Sequence, residues 1–111
     1  YDVLIHSAGW NQPAPFDELD LDAVRFTMEA NVHGFLQLTQ ALLPYWKRVG
    51  RGWVVVLSSL YGFISRRFRL PYAMSKHALM GVVKTLAIEL APHGVLVNAV
   101  SPGYIATPMT E

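Results

Sequence analysis

Cysteine is absent from the sequence. That removes disulfides, thiolate zinc sites and cysteine nucleophiles. It accords with a reducing compartment, so a cytoplasmic location is expected. Charge is scarce as well. Lys, Arg, Asp and Glu supply 15% of the 111 residues and leave a formal net charge of +1, where ordinary soluble domains carry about 25% charged residues. No excess of either sign points to nucleic acid or to an anionic membrane as a partner. Apolar runs are short, none approaching the ~20 residues of a membrane span. The four histidines, His6, His33, His77 and His93, share no metal-ligand spacing, so no metal is expected. What remains in quantity is apolar side chain, 52% of the total, enough for a core buried on several sides. The length suits one modest domain. The opening "YDVLIH" reads as a strand already under way, and "TPMTE" ends in what reads as a loop. A fragment of a longer protein, or its ordered part, is expected.

The chain alternates strand and helix signals. Residues 2–6, "DVLIH", are a short apolar run closed by Ala8-Gly9, which suits a buried strand. "NQPAP", 11–15, is a loop. A helix follows, capped by Asp20 or Asp22, with Val24, Met28, Val32, Phe35, Leu38, Leu42 and Leu43 at spacings of three and four and Pro44 near its end. Gly34 inside it predicts close packing or a kink. "WVVVLSS", 53–59, is a β-branched strand, residues 60–71 are a loop with three arginines, and a second helix runs from Tyr72 to Leu90. "VLVNAVS", 95–101, is a third strand. The β-α-β-α-β order predicts an α/β fold with parallel strands joined by right-handed crossovers. Ligands of such sheets collect beyond the carboxyl ends of the strands. Ser7-Ala8-Gly9, Ser58-Ser59 and Ser101-Pro102-Gly103 stand at those three ends.

Tyr72 and Lys76 lie four residues apart in the second helix, a spacing that stacks two side chains on one face. A free phenol has a pKa of about 10, too high for a base at neutral pH. A close ammonium favours the phenolate, and the first turn of a helix favours an anion. Bringing a phenol near neutrality takes roughly 3–4 kcal/mol of differential interaction. Such a phenol can exchange a proton with an alcohol or carbonyl. Pairs of this kind also arise by chance, so the companions matter. Ser59 ends a strand thirteen positions before Tyr72, and a serine there can bond the same substrate oxygen. Ser58 faces the other way, since strand side chains alternate.

The whole set resembles the short-chain dehydrogenase/reductase family. "SS" followed by "YAMSK" matches its serine and Tyr-x-x-x-Lys pattern. "HSAG" resembles its Asn-Asn-Ala-Gly segment, "NVHG" its Asn-x-x-Gly helix motif, and "SPGYIATPMT" its Pro-Gly-x-x-x-Thr cofactor loop. The likeness spans essentially all 111 residues in the same order and spacing. It implies a Rossmann-like doubly wound parallel sheet, of which residues 1–111 form the catalytic half without the first nucleotide-binding half. It also implies an NAD- or NADP-dependent oxidoreductase acting on a small-molecule secondary alcohol or ketone. By that resemblance Tyr72 is the general acid/base, and Lys76 supports it and bonds the nicotinamide ribose. Ser59 holds the substrate oxygen, and Asn31 helps hold a water at a helix irregularity. Ala8 and Gly9 pass the cofactor, while Pro102, Gly103, Ile105 and Thr107 wrap the nicotinamide.

Two departures qualify the likeness. His6 and Ser7 stand where the family has two asparagines, and no Gly-x-x-x-Gly-x-Gly stretch occurs. The resemblance further implies a homodimer or homotetramer built through helices 21–43 and 72–90. A non-catalytic remnant or interaction module is the second reading. An extended-type nucleotide-sugar epimerase or dehydratase, which shares Tyr-x-x-x-Lys, is the third, although "NVHG" and "PGYIATP" favour the shorter type.

Overall fold

The structure, a computed structural model, describes residues 1–103. Strand β1 is Val3–His6, β2 is Gly52–Leu57 and β3 is Val95–Val100. They form one parallel sheet in the order β1-β2-β3, with Val3 opposite Trp53 and Gly52 opposite Val95. Between β1 and β2 run α1 (Leu21–Met28), a π turn (Glu29–His33) and α2 (Gly34–Val49), and between β2 and β3 runs α3 (Leu70–Leu90). Both crossovers step the same way across the sheet. Right-handed connections then put both helical layers on one face. The burial pattern agrees. Val54, Val56, Val95 and Val97 are buried with Phe35, Trp46, Leu79, Val83 and Leu90 in one core. On the opposite sheet face Val3, Ile5, Trp53, Leu96 and Val100 are exposed.

Local chemistry sets the element ends. The Asp20 carboxylate accepts the Asp22 N–H and caps α1. The helical stretch has Pro44 near its end, as expected. It continues to Val49 with Pro44 inside α2. Trp46 supplies the reason: it is fully buried, and its Nε1 donates to Tyr1 O at 2.9 Å. That burial outweighs the loss of one helical N–H, which costs about 3 kcal/mol. Gly50, left-handed at φ 74°, ends the helix by donating its N–H to Trp46 O. Gly94 ends the next crossover at φ 75°. A Cβ there would lie 2.0 Å from Gly50 O, so only glycine fits. α3 begins at Leu70 rather than Tyr72, with Pro71 in its first turn, where a missing N–H costs nothing. Tyr72 keeps its expected place in that turn.

The irregularity expected near Gly34 is the π turn itself. The Gly34 N–H reaches back five residues to Glu29 O. A Cβ on Gly34 would lie 3.4 Å from that same oxygen. One extra residue is accommodated there, a feature that recurs at functional sites.

Candidate active site

The site is built where all three strands point their carboxyl ends. Lys76 rises from α3 and its Nζ donates to Leu57 O, the last residue of β2, at 3.0 Å. The same Nζ lies 5.4 Å from the centroid of the Tyr72 ring, within the range of a cation–π contact. The expected pairing of Tyr72 with Lys76 on one helical face is therefore present. Lys76 is 4% exposed, and burial pushes its pKa below the ordinary lysine value.

Gly9 closes the first side. A Cβ built on it would meet Asn31 Oδ1 at 3.7 Å and Lys76 Nζ at 3.8 Å. Gly9, Asn31 and Lys76 thus border one gap, and Ser7, Ala8 and Gly9 are all exposed at its mouth. Asn31 lies in the π turn, fully buried. Its Oδ1 accepts the Trp10 N–H at 2.7 Å, and its Nδ2 donates to Trp10 O at 3.1 Å and to Ser75 Oγ at 2.8 Å. Both amide protons are committed to the protein, while Oδ1 accepts one of the two bonds it can take.

Ser58 and Ser59 point to opposite sides, as alternation predicts. Ser58 is buried, and its hydroxyl reaches Lys76 O at 3.4 Å. Ser59 turns outward and accepts the Tyr61 N–H at 3.1 Å on its Oγ. With that lone pair occupied by a donor, the Ser59 hydroxyl proton is left to point at another acceptor. Tyr61 in turn sets its ring edge-on to Tyr72, centroids 5.9 Å apart and planes at 89°, a favoured aromatic geometry. The third rim segment is drawn in by main-chain bonds: the Ser58 N–H to Val100 O at 2.8 Å and the Leu60 N–H to Pro102 O at 3.1 Å. Pro102 and Gly103 thus stand beside the Ser59 turn. Ile105 and Thr107 lie outside the described residues.

Several participants were not assigned from sequence. Ser75 and Trp10 enter through Asn31, across 44 and 21 residues. His6, the last residue of β1, is 5% exposed, stacks its ring 5.3 Å from Phe35 and leaves Nε2 without a partner among the described residues. Burial, and secondarily the Lys76 charge, push its pKa below the ordinary histidine value. Among the described residues no group of three His, Asp or Glu gathers as metal ligands.

Against known proteins, the family profile described as short chain dehydrogenase matches residues 1–111. The chain belongs to the short-chain dehydrogenases. A glucose 1-dehydrogenase of Gluconobacter oxydans is 38% identical over 109 residues, 97% of this chain and 41% of that protein. A 3-oxoacyl-[acyl-carrier-protein] reductase of Thermotoga maritima is 40% identical, over 99% of this chain and 45% of that protein. Among solved structures, a gluconate 5-dehydrogenase from Burkholderia cenocepacia in complex with NADP and tartrate superposes with a TM-score of 0.93 at 28% identity, covering 96% of this chain and 42% of that one. A 4-hydroxyisoleucine dehydrogenase complexed with NADH gives 0.93 at 30% identity, covering 97% and 48%. The chain therefore spans less than half the length of these short-chain dehydrogenases. The sheet is a β-α-β-α-β portion of their Rossmann-like fold.

Proposed function

We propose that residues 1–111 are the catalytic half of an NAD(P)-dependent oxidoreductase that interconverts a secondary alcohol and a ketone. The observation that carries the reading is the gap bordered by Gly9, Asn31 and the Lys76 ammonium, with the Tyr72 ring 5.4 Å from that ammonium. The groups there suit a nicotinamide riboside by their chemistry. An ammonium carries three donors, and Lys76 gives one to Leu57 O, which leaves two for ribose hydroxyls. Gly9 puts no side chain in the way. Ala8, Pro102, Gly103, Ile105 and Thr107 complete the expected cofactor contacts. The bound nicotinamide supplies or receives the hydride.

The chain's own groups then divide the remaining work. Tyr72 gives its hydroxyl proton to the carbonyl oxygen during reduction and takes it back during oxidation. Ser59, whose Oγ already accepts from Tyr61 N–H, directs its own proton at that oxygen and holds it. Lys76 places a positive charge beside the phenol. The proton lost by Tyr72 returns from solvent, by a water held at the π turn of Asn31. The absence of cysteine accords with a cytoplasmic enzyme, and no described helix is long and apolar enough to cross a membrane. Leu21, Phe26 and Leu38 on the first helical layer and Met74 and Ile88 on α3 are exposed. Pairing of the stretches 21–43 and 72–90 with a second copy would cover them, giving a dimer or tetramer by light scattering.

The test is a fluorescence titration of the full-length protein with NADH and NADPH, followed by carbonyl-dependent oxidation of the bound form. Saturable binding with turnover supports the reading. No binding of either nucleotide would leave the chain a non-catalytic remnant of the fold.

A further inference from the structure

We propose that Ser75 is a positioning residue whose hydroxyl, bridging Asn31 and the Tyr72 carbonyl, fixes the proton-transfer phenol relative to the segment that follows β1. The inference rests on the dehydrogenase reading above.

Donor and acceptor directions in this cluster determine one another. The Trp10 N–H can only donate, and it meets Asn31 Oδ1 at 2.7 Å. The other end of the carboxamide is therefore the NH2 group, which has two protons to give. One goes to Trp10 O at 3.1 Å and the other to Ser75 Oγ at 2.8 Å. A hydroxyl has a single proton, and Ser75 gives it to Tyr72 O at 2.8 Å. Ser75 thus faces Asn31 as an acceptor, with no alternative rotation open to it. Turning either side chain would set donor against donor or carbonyl against carbonyl.

Burial raises the cost of such a mismatch. Asn31 and Ser75 are both 0% exposed, so water offers no substitute partner, and a buried unmatched polar group is costly. The bridge spans three elements that the main chain leaves apart: the loop after β1, the π turn and the first turns of α3. Residue 10 is 21 positions from residue 31, and residue 31 is 44 from residue 75. A serine that bonds the carbonyl three residues back also bends its helix locally. Here the carbonyl that accepts the bond is that of Tyr72 itself. The same clamp sets Trp10, whose neighbour Gly9 lines the cofactor gap. Ser75 therefore aligns both walls of the site without touching substrate.

The experiment compares Ser75→Ala and Ser75→Cys with wild type in the full-length protein. It reads kcat, KM for NADPH or NADH, the pH profile of kcat, Tm, and hydrogen exchange of the segment carrying Trp10. Ser75→Ala is expected to lower kcat about tenfold with KM for the nicotinamide within about twofold, and to displace the pH limb of kcat. Ser75→Cys, which keeps the shape and a weak donor, recovers part of the loss. Exchange at Trp10 rises in Ser75→Ala. A kcat within about twofold of wild type with the limb in place overturns the proposal. So does a lower kcat accompanied by lower Tm, an unmoved limb and no recovery by cysteine. If wild type shows no dehydrogenase turnover, the functional reading fails by itself. Exchange then decides for Ser75: faster exchange of the Trp10 segment in Ser75→Ala upholds the clamp, and equal exchange overturns it.

Discussion

Lys76→Met separates what the ammonium does for the fold from what it does for the reaction. The substitution keeps the length of the side chain and removes its charge. Lys76 is 4% exposed, and its ammonium donates to a neutral carbonyl, Leu57 O at 3.0 Å. The two ion pairs among the described residues, Arg25–Asp22 and Arg51–Asp2, do not include it. Two effects of opposite sign follow. Removing a buried charge without a counter-ion relieves a desolvation penalty of several kcal/mol. Leaving Leu57 O without that donor costs about 1–3 kcal/mol. The near cancellation predicts a change in stability within about 2 kcal/mol at neutral pH, in either direction. Turnover, in contrast, should fall by about 100-fold or more, the scale of lost support for a proton-transfer group.

The pH dependence fixes the sign. In the fold the Lys76 pKa lies below the ordinary 10.5. Below the folded value both folded and unfolded chains hold the proton, and the burial penalty is fully present. Between the folded value and 10.5 the unfolded chain binds more protons than the folded one, so wild-type stability gains with rising pH. Lys76→Met has no such gain. Its stability relative to wild type must therefore fall as pH rises from neutral toward 10.5. Urea unfolding of the full-length protein at neutral and alkaline pH reads this directly. A variant destabilised by more than about 3 kcal/mol, by the same amount at both pH values, would refute the account of an uncompensated buried ammonium.

Two further outcomes follow from the same corner of the molecule. His6 has a folded pKa below 6.5, so as pH falls under that value the unfolded chain takes a proton that the fold resists. Stability should drop by up to about 1.4 kcal/mol per pH unit in that window, and His6→Asn should flatten the drop. Equal acid losses of Tm in both proteins would contradict it. Gly9→Val should leave Tm within a few degrees, since the first added carbon meets Asn31 and Lys76 at ordinary contact distances. The bulkier side chain stands where the reading places the cofactor, so NADH or NADPH affinity should fall about tenfold or more in a titration.

Much of this was legible in the residue order. The apolar and β-branched strand runs, the aspartate cap at Asp20 or Asp22 and the Tyr72–Lys76 spacing are local signals, and local signals survive folding. Gly34 announced the helix irregularity because a glycine in an apolar helix asks for close approach. Pro44 marked the approach of the helix end, but the burial of Trp46 against the chain start, which accompanies the last turn beyond it, is a tertiary effect with no local signal. Ser75 could be noted beside the pair, but its bond to a side chain 44 residues away carries no sequence signature. His6 Nε2, without a partner among the described residues, is equally silent in sequence, since its burial depends on packing with distant residues such as Phe35.

The most direct test of the central claim is Tyr72→Phe in the full-length protein, assayed for turnover and for nicotinamide binding together. If the phenol moves the proton, kcat falls by about 100-fold or more while the dissociation constant for NADH or NADPH stays within about threefold. Turnover equal to wild type, with the cofactor bound as before, would contradict the assignment outright.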